Sequence, residues 1–85
     1  MEVHDSARKH RIAPEDSVMA ATHCLLRIDL DARSPARQLR LGFDRWGVLL
    51  ETVVLTFDNG HQLVIHSMRA RKSYLALLPD ERSTR

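Results

Sequence analysis

Residues 51–68 of the chain read ETVVLTFDNGHQLVIHSM. Two runs rich in Val, Ile, Leu and Thr, residue types that favour strands, flank the dipeptide Asn59-Gly60. This dipeptide readily supplies the two positive φ angles of a type I′ turn. We therefore predict an antiparallel hairpin with a two-residue loop, in which Val53 pairs with His66.

Alternation of side chains along the strands divides this hairpin into two faces. One face is mostly apolar and is predicted to form core; it carries Val48, Leu50, Thr52, Val54, Leu63 and Ile65. The other face becomes polar at the end far from the turn, where Glu51 and His66 are diagonal neighbours. We expect the functional residues at this polar end.

Periodicity assigns the remaining elements. Pro14 followed by two acidic residues is typical of a helix start, because proline loses no hydrogen bond there and acids favour the positive end of the helix dipole. We predict a short helical turn over 6–10, a helix from 14 to about 24, strands over 26–30 and 38–43, a turn over 44–47 and a short helix over 71–78. Residues 1–5 and 80–85 are expected to be disordered tails.

Together these elements predict one α+β domain over residues 1–85. Its N-terminal helices pack on a four-stranded antiparallel meander sheet, and a short C-terminal helix closes it. If Phe43 pairs with Val48, Arg40 lies opposite Glu51. The predicted registers then assemble one polar patch from Asp29, Arg40, Glu51 and His66.

The composition is that of a small folded domain. A chain of 85 residues with 44% hydrophobic and 28% charged residues can bury one modest core. No apolar run approaches the roughly 18 residues of a membrane span, and no N-terminal signal segment is recognisable, so we expect a cytoplasmic protein. The single Cys24 rules out an internal disulfide, and the histidines lack ligand-like spacing, so neither a metal nor a cofactor is expected.

The basic residues are clustered although the formal net charge is only +2. Eleven of the 13 cationic residues are arginines, a side chain that binds phosphate through two parallel hydrogen bonds. One cluster contains Arg33, Arg37, Arg40 and Arg45, and a second contains Arg69, Arg71 and Lys72. An anionic partner is one interpretation of these clusters, and a solvated basic surface is the other.

Three stretches resemble the BrnT-like branch of the RelE/ParE superfamily of bacterial toxins. They are ARKHRI (residues 7–12) followed by Glu15-Asp16, RLG (40–42), and IHSMRAR (65–71) leading to Tyr74, so the resemblance covers about residues 7–78. The family pattern is a Lys-His-Gly-Val helix joint, a sheet, and a last strand reading roughly Ile-Ser-Ala-Arg before a helix that contains tyrosine. This chain lacks the aromatic-Trp-Asp strand that usually opens the family. Arg11 replaces the glycine of the joint, and residues 66–68 replace the usual small residues.

The resemblance implies a RelE-like fold and the toxin component of a type II toxin-antitoxin system. Such a toxin is a metal-independent endoribonuclease that cleaves messenger RNA, free or on the ribosome, and arrests growth. Its partner is a cognate antitoxin, often of the ribbon-helix-helix type, expected to cover an apolar stripe made of Leu49, Val53, Leu55 and Phe57. Expression of the chain alone is expected to slow bacterial growth, and co-expression of the neighbouring small gene to relieve it.

Two further interpretations belong to other classes of protein. One is a non-enzymatic member of the same fold that binds nucleic acid or protein, for example a gyrase-inhibiting toxin. The other is a structural subunit whose apolar side chains are covered by a partner. Incubating the protein with RNA in EDTA separates these classes, because only the endoribonuclease gives a 2′,3′-cyclic phosphate.

Metal-independent RNA cleavage needs a base for the 2′-OH, cations for the phosphorane charge and an acid for the leaving 5′-oxygen. Histidine ordinarily titrates near pH ~6.5, so His66 can serve as base or acid. Glu51 can orient His66 or act as the base itself, and an ion pair with Arg40 is its structural alternative.

The remaining candidates are mainly arginines. Tyr74 can stack on a base, donate a proton or simply pack its helix. Strict alternation places Arg69 on the core face, away from His66, unless the strand bulges near Met68. The candidate phosphate clamps are Arg40, Arg69 and Arg71, and the candidate RNA-binding residues are Arg37, Arg45 and Lys72.

Overall fold

The computed structural model describes residues 1–31 and 34–78. Its sheet has five strands in the order β1-β5-β4-β3-β2, with β1 parallel to β5 and the other neighbours antiparallel. The elements in chain order are β1 (Glu2–Val3), a 3-10 helix (Asp5–Arg8), α1 (Pro14–Thr22), β2 (Leu26–Asp29), β3 (Ala36–Phe43), β4 (Leu49–Thr56), β5 (Gln62–Arg69) and α2 (Lys72–Leu75).

The predicted α+β class is confirmed, and the four predicted strands pair as an antiparallel meander, but a fifth strand makes the sheet mixed. Residues 1–5 were expected to form a tail, whereas Glu2 and Val3 add a fifth strand by pairing with Leu63 and Val64 of β5. A two-residue strand leaves no alternation to read in the sequence. The other predicted tail, 80–85, lies outside the described residues.

Helix α1 begins where the sequence predicts, α2 begins one residue later than predicted, and both end earlier. Pro14 occupies the first turn of α1, followed by Glu15 and Asp16 at its positive end. α1 ends at Thr22 rather than near residue 24, and α2 is a single turn within the predicted 71–78. Neither α-helix in the described part of the chain has the length and apolar run needed to cross a bilayer.

The loops that join β3 to β4 and β4 to β5 each contain three residues and end in a glycine with positive φ. After β4, the N–H of Phe57 donates to the carbonyl of His61 at 2.9 Å, and Gly60 has a φ of 87°. The predicted two-residue loop is therefore wrong. The observed geometry is typical of a type I turn followed by a left-handed residue, a conformation that costs glycine nothing.

The loop after β3 repeats this arrangement. The N–H of Asp44 donates to the carbonyl of Val48 at 2.9 Å, and Gly47 has a φ of 77°. The side chain of Asp44 also accepts the N–H of Val48 at 2.9 Å, which fixes the turn. Pairing of Phe43 with Val48 was predicted, but Phe43 pairs with Leu49.

This shift of one residue between β3 and β4 changes the composition of the two faces. Arg40 pairs with Thr52, and Glu51 pairs with Leu41. The predicted pairing of Arg40 with Glu51 is wrong. Because neighbouring positions of a strand point to opposite faces, Arg40 and Glu51 lie on different sides of the sheet.

A bulge in β5 restores the predicted register further from the turn. Between the turn and the bulge, Val54 pairs with Val64; beyond it, Val53 pairs with His66, so that Ile65 is the extra residue. The predicted pairing of Val53 with His66 is thus confirmed. Leu63 and Ile65 were predicted to share the core face with Val54, and Val64 takes that place instead.

Helix α1 covers one face of the sheet, here named the α1 face. Ser17 of α1 donates from its hydroxyl to that of Ser67 at 2.7 Å. A Cβ on Gly42 would overlap the carbonyl oxygen of Ala20, so only glycine lets the helix lie this close to β3. The apolar core on this face joins Ala7, Ala21, Val54 and Val64, with Val3 packed against it.

The other side of the sheet is here named the opposite face; it carries Leu39, Leu41, Glu51, Val53, His66 and Met68. Leu39 and Leu41 are buried there. The predicted apolar stripe of Leu49, Val53, Leu55 and Phe57 is half-buried within the single chain. The stripe is therefore less exposed than the sequence led us to expect.

The joint between the 3-10 helix and α1 contains an unusual backbone conformation. Arg11 has a φ of 62°, in the left-handed region that favours glycine. A residue with a side chain is disfavoured there by about 1 to 2 kcal/mol. His10 immediately precedes Arg11, so this joint also sets the direction from which His10 approaches the sheet.

Candidate functional site

Glu51 provides a carboxylate that is almost completely buried, with 1% of the residue exposed. Its Oε2 accepts hydrogen bonds from Nε2 of His66 at 3.1 Å and from Nη2 of Arg71 at 2.9 Å. Its Oε1 accepts from Nε and from the backbone N–H of Arg71, both at 3.0 Å. The carboxylate therefore ties β4 to β5 and to the start of α2.

These contacts keep the carboxylate ionised. Burial acts to raise the pKa of Glu51, but hydrogen bonds from the side chain and backbone of Arg71 and from His66 outweigh it. The pKa of Glu51 therefore lies below its ordinary value. The hydrogen bonds to Glu51 raise the pKa of Arg71 in turn, so the pair carries both charges at neutral pH.

The ionised carboxylate determines which nitrogen of His66 carries a proton. A carboxylate only accepts hydrogen bonds, so the proton in the contact with Glu51 belongs to Nε2 of His66. Nδ1 is then the ring nitrogen left to exchange a proton with a substrate. Carboxylate–histidine pairs in hydrolases work in this way, because the carboxylate fixes the tautomer and orientation of the imidazole.

A second histidine lies against the first. The rings of His10 and His66 meet edge to face, with centroids 5.7 Å apart and planes at 77°. His10 is exposed, and 24% of the His66 side chain is exposed, so both rings can be reached from solvent. His10 was not among the candidate site residues predicted from the sequence. Its position in the Lys-His joint of the family pattern was the one sequence feature that pointed to His10.

The guanidinium of Arg71 lies over the ring of Tyr74, next to Glu51. Its guanidinium lies 5.2 Å from the centre of the Tyr74 ring, and 57% of its side chain is exposed. Nε and Nη2 bind Glu51, while Nη1 makes no hydrogen bond within the described residues. Arg71 can therefore present one N–H edge to a phosphate, with exposed Lys72 next to it in the chain.

The other predicted phosphate clamps lie elsewhere. Arg40 and Arg69 both lie on the α1 face, where Arg69 pairs with Leu50 and is exposed. Two of the four residues predicted for the polar patch, Asp29 and Arg40, therefore lie on the α1 face, away from Glu51 and His66. Asp29 accepts a hydrogen bond from Gln38 at 2.8 Å, on the strand pair that also carries Arg40.

Two predicted RNA-binding arginines have carboxylate partners. Arg37 forms an ion pair with Asp31 at 2.8 Å. Arg45 binds Asp16 at 3.1 Å and lies 5.7 Å from the ring centre of Trp46. The hydrogen bond from Arg45 lowers the pKa of Asp16, so this pair is ionised at neutral pH. Neither arginine is hydrogen-bonded or ion-paired, within the described residues, to the Glu51 cluster, which consists of Glu51, His66, Arg71, Tyr74 and His10.

No three His, Cys, Asp or Glu side chains within residues 1–31 and 34–78 are arranged to hold a metal ion. Searches of protein-family models, of curated proteins and of solved structures found no match to this chain. The functional conclusion therefore depends on the residues of the chain itself.

Proposed function

We propose that this protein is an endoribonuclease that cleaves RNA through attack of the 2′-OH and needs no metal ion. The observation that carries the proposal is the hydrogen bond between His66 and the buried Glu51, next to Arg71 on the same carboxylate. An imidazole held in one tautomer beside a cation is what proton transfer at a phosphodiester requires.

In the proposed reaction, Nδ1 of His66 takes the proton from the 2′-OH, and the 2′-oxygen forms a bond to phosphorus. The bond from phosphorus to the 5′-oxygen breaks, and the imidazolium of His10 gives its proton to that leaving oxygen. Nη1 of Arg71 stabilises the charge on the non-bridging oxygens, and Tyr74 stacks on a neighbouring base. The products are a 2′,3′-cyclic phosphate and a 5′-OH.

We further propose that the nuclease is the toxin of a type II toxin-antitoxin system and acts in the cytoplasm. The resemblance to BrnT-like toxins over residues 7–78 supports this role. Arg11 adds to that support, because its φ of 62° suits the glycine that the family pattern has at this position. The partner would be a cognate antitoxin, and the substrate messenger RNA, free or on the ribosome.

The test is cleavage of a synthetic RNA in EDTA by the purified protein. His66→Gln is expected to lower the cleavage rate by about 10²- to 10⁴-fold, the usual contribution of a general base. Glutamine can still donate a hydrogen bond to Glu51 in place of Nε2, but it cannot take up a proton. The matched control is His23→Gln, which changes an exposed histidine at the end of α1.

Two results would contradict the proposal. The first is equal cleavage by the parent and His66→Gln proteins, since the activity would then belong to another site or to a contaminating nuclease. The second is a product that ends in a 2′-OH and a 3′-phosphate without a cyclic intermediate. In cells, unimpaired growth despite abundant expression of the chain would argue against the toxin role while leaving the nuclease activity to the biochemical assay.

A further inference from the structure

A cavity on the α1 face has a wall rich in cations and hydrogen-bond donors. It measures about 420 Å³, and its lining consists of Met1, Thr22, Arg27, Arg40 and Gln62. Small-molecule sites typically measure about 300 to 1,000 Å³. The described residues that line the cavity contribute two arginines and no acid.

Arg40 is the buried charge of this cavity. The residue is only 4% exposed, yet its hydrogen bonds go to neutral acceptors, the side-chain oxygen of Gln38 at 2.9 Å and the carbonyl of Ala21 at 3.1 Å. It forms no ion pair with a carboxylate in the described part of the chain. Burial first, and the charge of Arg27 second, lower its pKa, but a guanidinium remains protonated at any pH at which proteins fold.

Arg27 adds a second positive charge at the same place. It pairs directly with Arg40 across β2 and β3, and like charges in that position repel each other. Its Nε donates to the sulfur of Cys24 at 3.1 Å, which is a weak acceptor and not a carboxylate. The nearest acid along β2, Asp29, accepts from Gln38 instead. Within the described residues, no carboxylate forms an ion pair with Arg27 or Arg40.

We propose that Arg27 and Arg40 form a binding site for a phosphate dianion, either free or as the terminal group of a small phosphorylated molecule. Two guanidinium groups facing one cavity match the charge and the fork geometry of phosphate oxygens. Thr22 and Gln62 supply further polar groups at the cavity wall. Because Arg40 is so deeply placed, a terminal phosphate reaches it more readily than a phosphodiester with a nucleoside on each side.

A purely structural role for Arg40 is the competing explanation. Its bond to the carbonyl of Ala21 caps the last turn of α1, where the helix dipole favours a cation. This role explains Arg40 alone. It gives no reason for Arg27, which has no bond to the helix backbone, to be placed opposite Arg40.

The test uses the amide NMR signals of the full chain. Inorganic phosphate, adenosine 5′-monophosphate and a short RNA without a terminal phosphate are titrated separately, with chloride at matched ionic strength as the reference. We expect the first two to shift the amides of Thr22, Arg27, Arg40 and Gln62. Stronger binding of the nucleotide would identify the ligand as a phosphorylated molecule, and equal binding as the free anion.

The matched variants are Arg27→Gln, which removes a cavity arginine, and Arg8→Gln, which removes an exposed arginine that does not line the cavity. Losing one charge-assisted donor should weaken phosphate binding by about 10- to 100-fold in Arg27→Gln, and Arg8→Gln should bind like the parent. Equal affinity in all three proteins would overturn the proposal. So would shifts confined to His66 and Arg71, or a response to the unphosphorylated RNA alone.

This test is independent of the proposed nuclease. The cavity lies on the α1 face, and the Glu51 cluster lies on the opposite face. An inactive protein that binds phosphate at Arg27 would refute the nuclease and support the anion site. A protein that cleaves RNA but does not bind phosphate at Arg27 would support the nuclease and refute the anion site.

Discussion

The two faces of the sheet each bury one charged side chain, and they treat it in different ways. On the opposite face, Glu51 is 1% exposed and has two basic partners, Arg71 and His66. On the α1 face, Arg40 is 4% exposed and has none of opposite charge within the described residues. Neighbouring strands of one small sheet thus contain a compensated and an uncompensated charge.

The difference separates a buried charge that stabilises the fold, Glu51, from one that we propose binds a ligand, Arg40. A buried charge with partners and good geometry contributes to the native structure, and breaking the pair is costly. A buried charge without a counter-ion lowers the free energy of unfolding, and a bound anion would offset this cost. The loss of stability on removing the buried charge should therefore be larger on the opposite face than on the α1 face.

The largest effect is expected for Gly42→Ala. The new Cβ would overlap the carbonyl of Ala20, so α1 would have to move away from β3, at a cost of about 3 kcal/mol in the free energy of unfolding. Urea unfolding followed by circular dichroism measures this change. The control is Gly60→Ala, where a Cβ meets open space and only the φ of 87° is unfavourable, costing about 1 to 2 kcal/mol. A harmless Gly42→Ala would mean that α1 does not lie on β3.

The next effect concerns the compensated charge. Glu51→Gln should lower the free energy of unfolding by about 2 kcal/mol at neutral pH, because the carboxamide nitrogen must face a donor of Arg71 or His66. Urea unfolding at several pH values provides the measurement.

The effect of Glu51→Gln also depends on pH in a definite direction. A carboxyl whose pKa is lowered by folding stabilises the protein above its ordinary pKa of 4.5, and this contribution disappears as pH falls through the lower pKa of the folded state. The gap between the parent and Glu51→Gln should therefore narrow in acid. A gap that stays constant would show that the charge of Glu51 is not what the variant removed.

The smallest effect on stability is expected for the uncompensated charge. Arg40→Met keeps much of the side-chain volume and removes a desolvated charge beside Arg27, so the free energy of unfolding should change by less than about 1 kcal/mol or even increase. The same urea experiment, run at constant ionic strength, measures it. A loss as large as that of Glu51→Gln would show that Arg40 is already compensated, and the contrast between the faces would be lost.

The sequence predicted the strands well and the registers incompletely. The dipeptide Asn59-Gly60 fits a two-residue loop and also a three-residue loop that begins at Asp58, because Gly60 has a positive φ in both. Asparagine accepts either backbone conformation, so no local signal distinguishes the two. The loop before Val48 presents a similar ambiguity, between the predicted four-residue loop 44–47 and the observed three-residue loop 45–47. The difference decides whether Arg40 shares a face with Glu51.

Part of the site could nevertheless be predicted. Glu51 and His66 were expected to be diagonal neighbours, and they form a hydrogen bond. The return of Arg71 to Glu51 depends on the path of the chain after β5, which no periodicity records. His10 reaches His66 from the other end of the chain through the joint at Arg11, and long-range contacts of this kind leave no pattern in a single sequence.

The bulge at Ile65 makes two pairings, or isomers, of this hairpin compatible with the same chain length. A three-residue loop with the bulge, and a two-residue loop without it, give the same partners to residues 66–69 of β5. They differ only in which side of the sheet residues 62–65 occupy. The observed isomer places the small side chain of Val64 beneath Ala7 and Ala21, where the close approach of the helices favours it over leucine or isoleucine. A change at the hairpin tip that favours the two-residue loop is therefore expected to alter the pairing of residues 62–65 and to leave His66 beside Glu51.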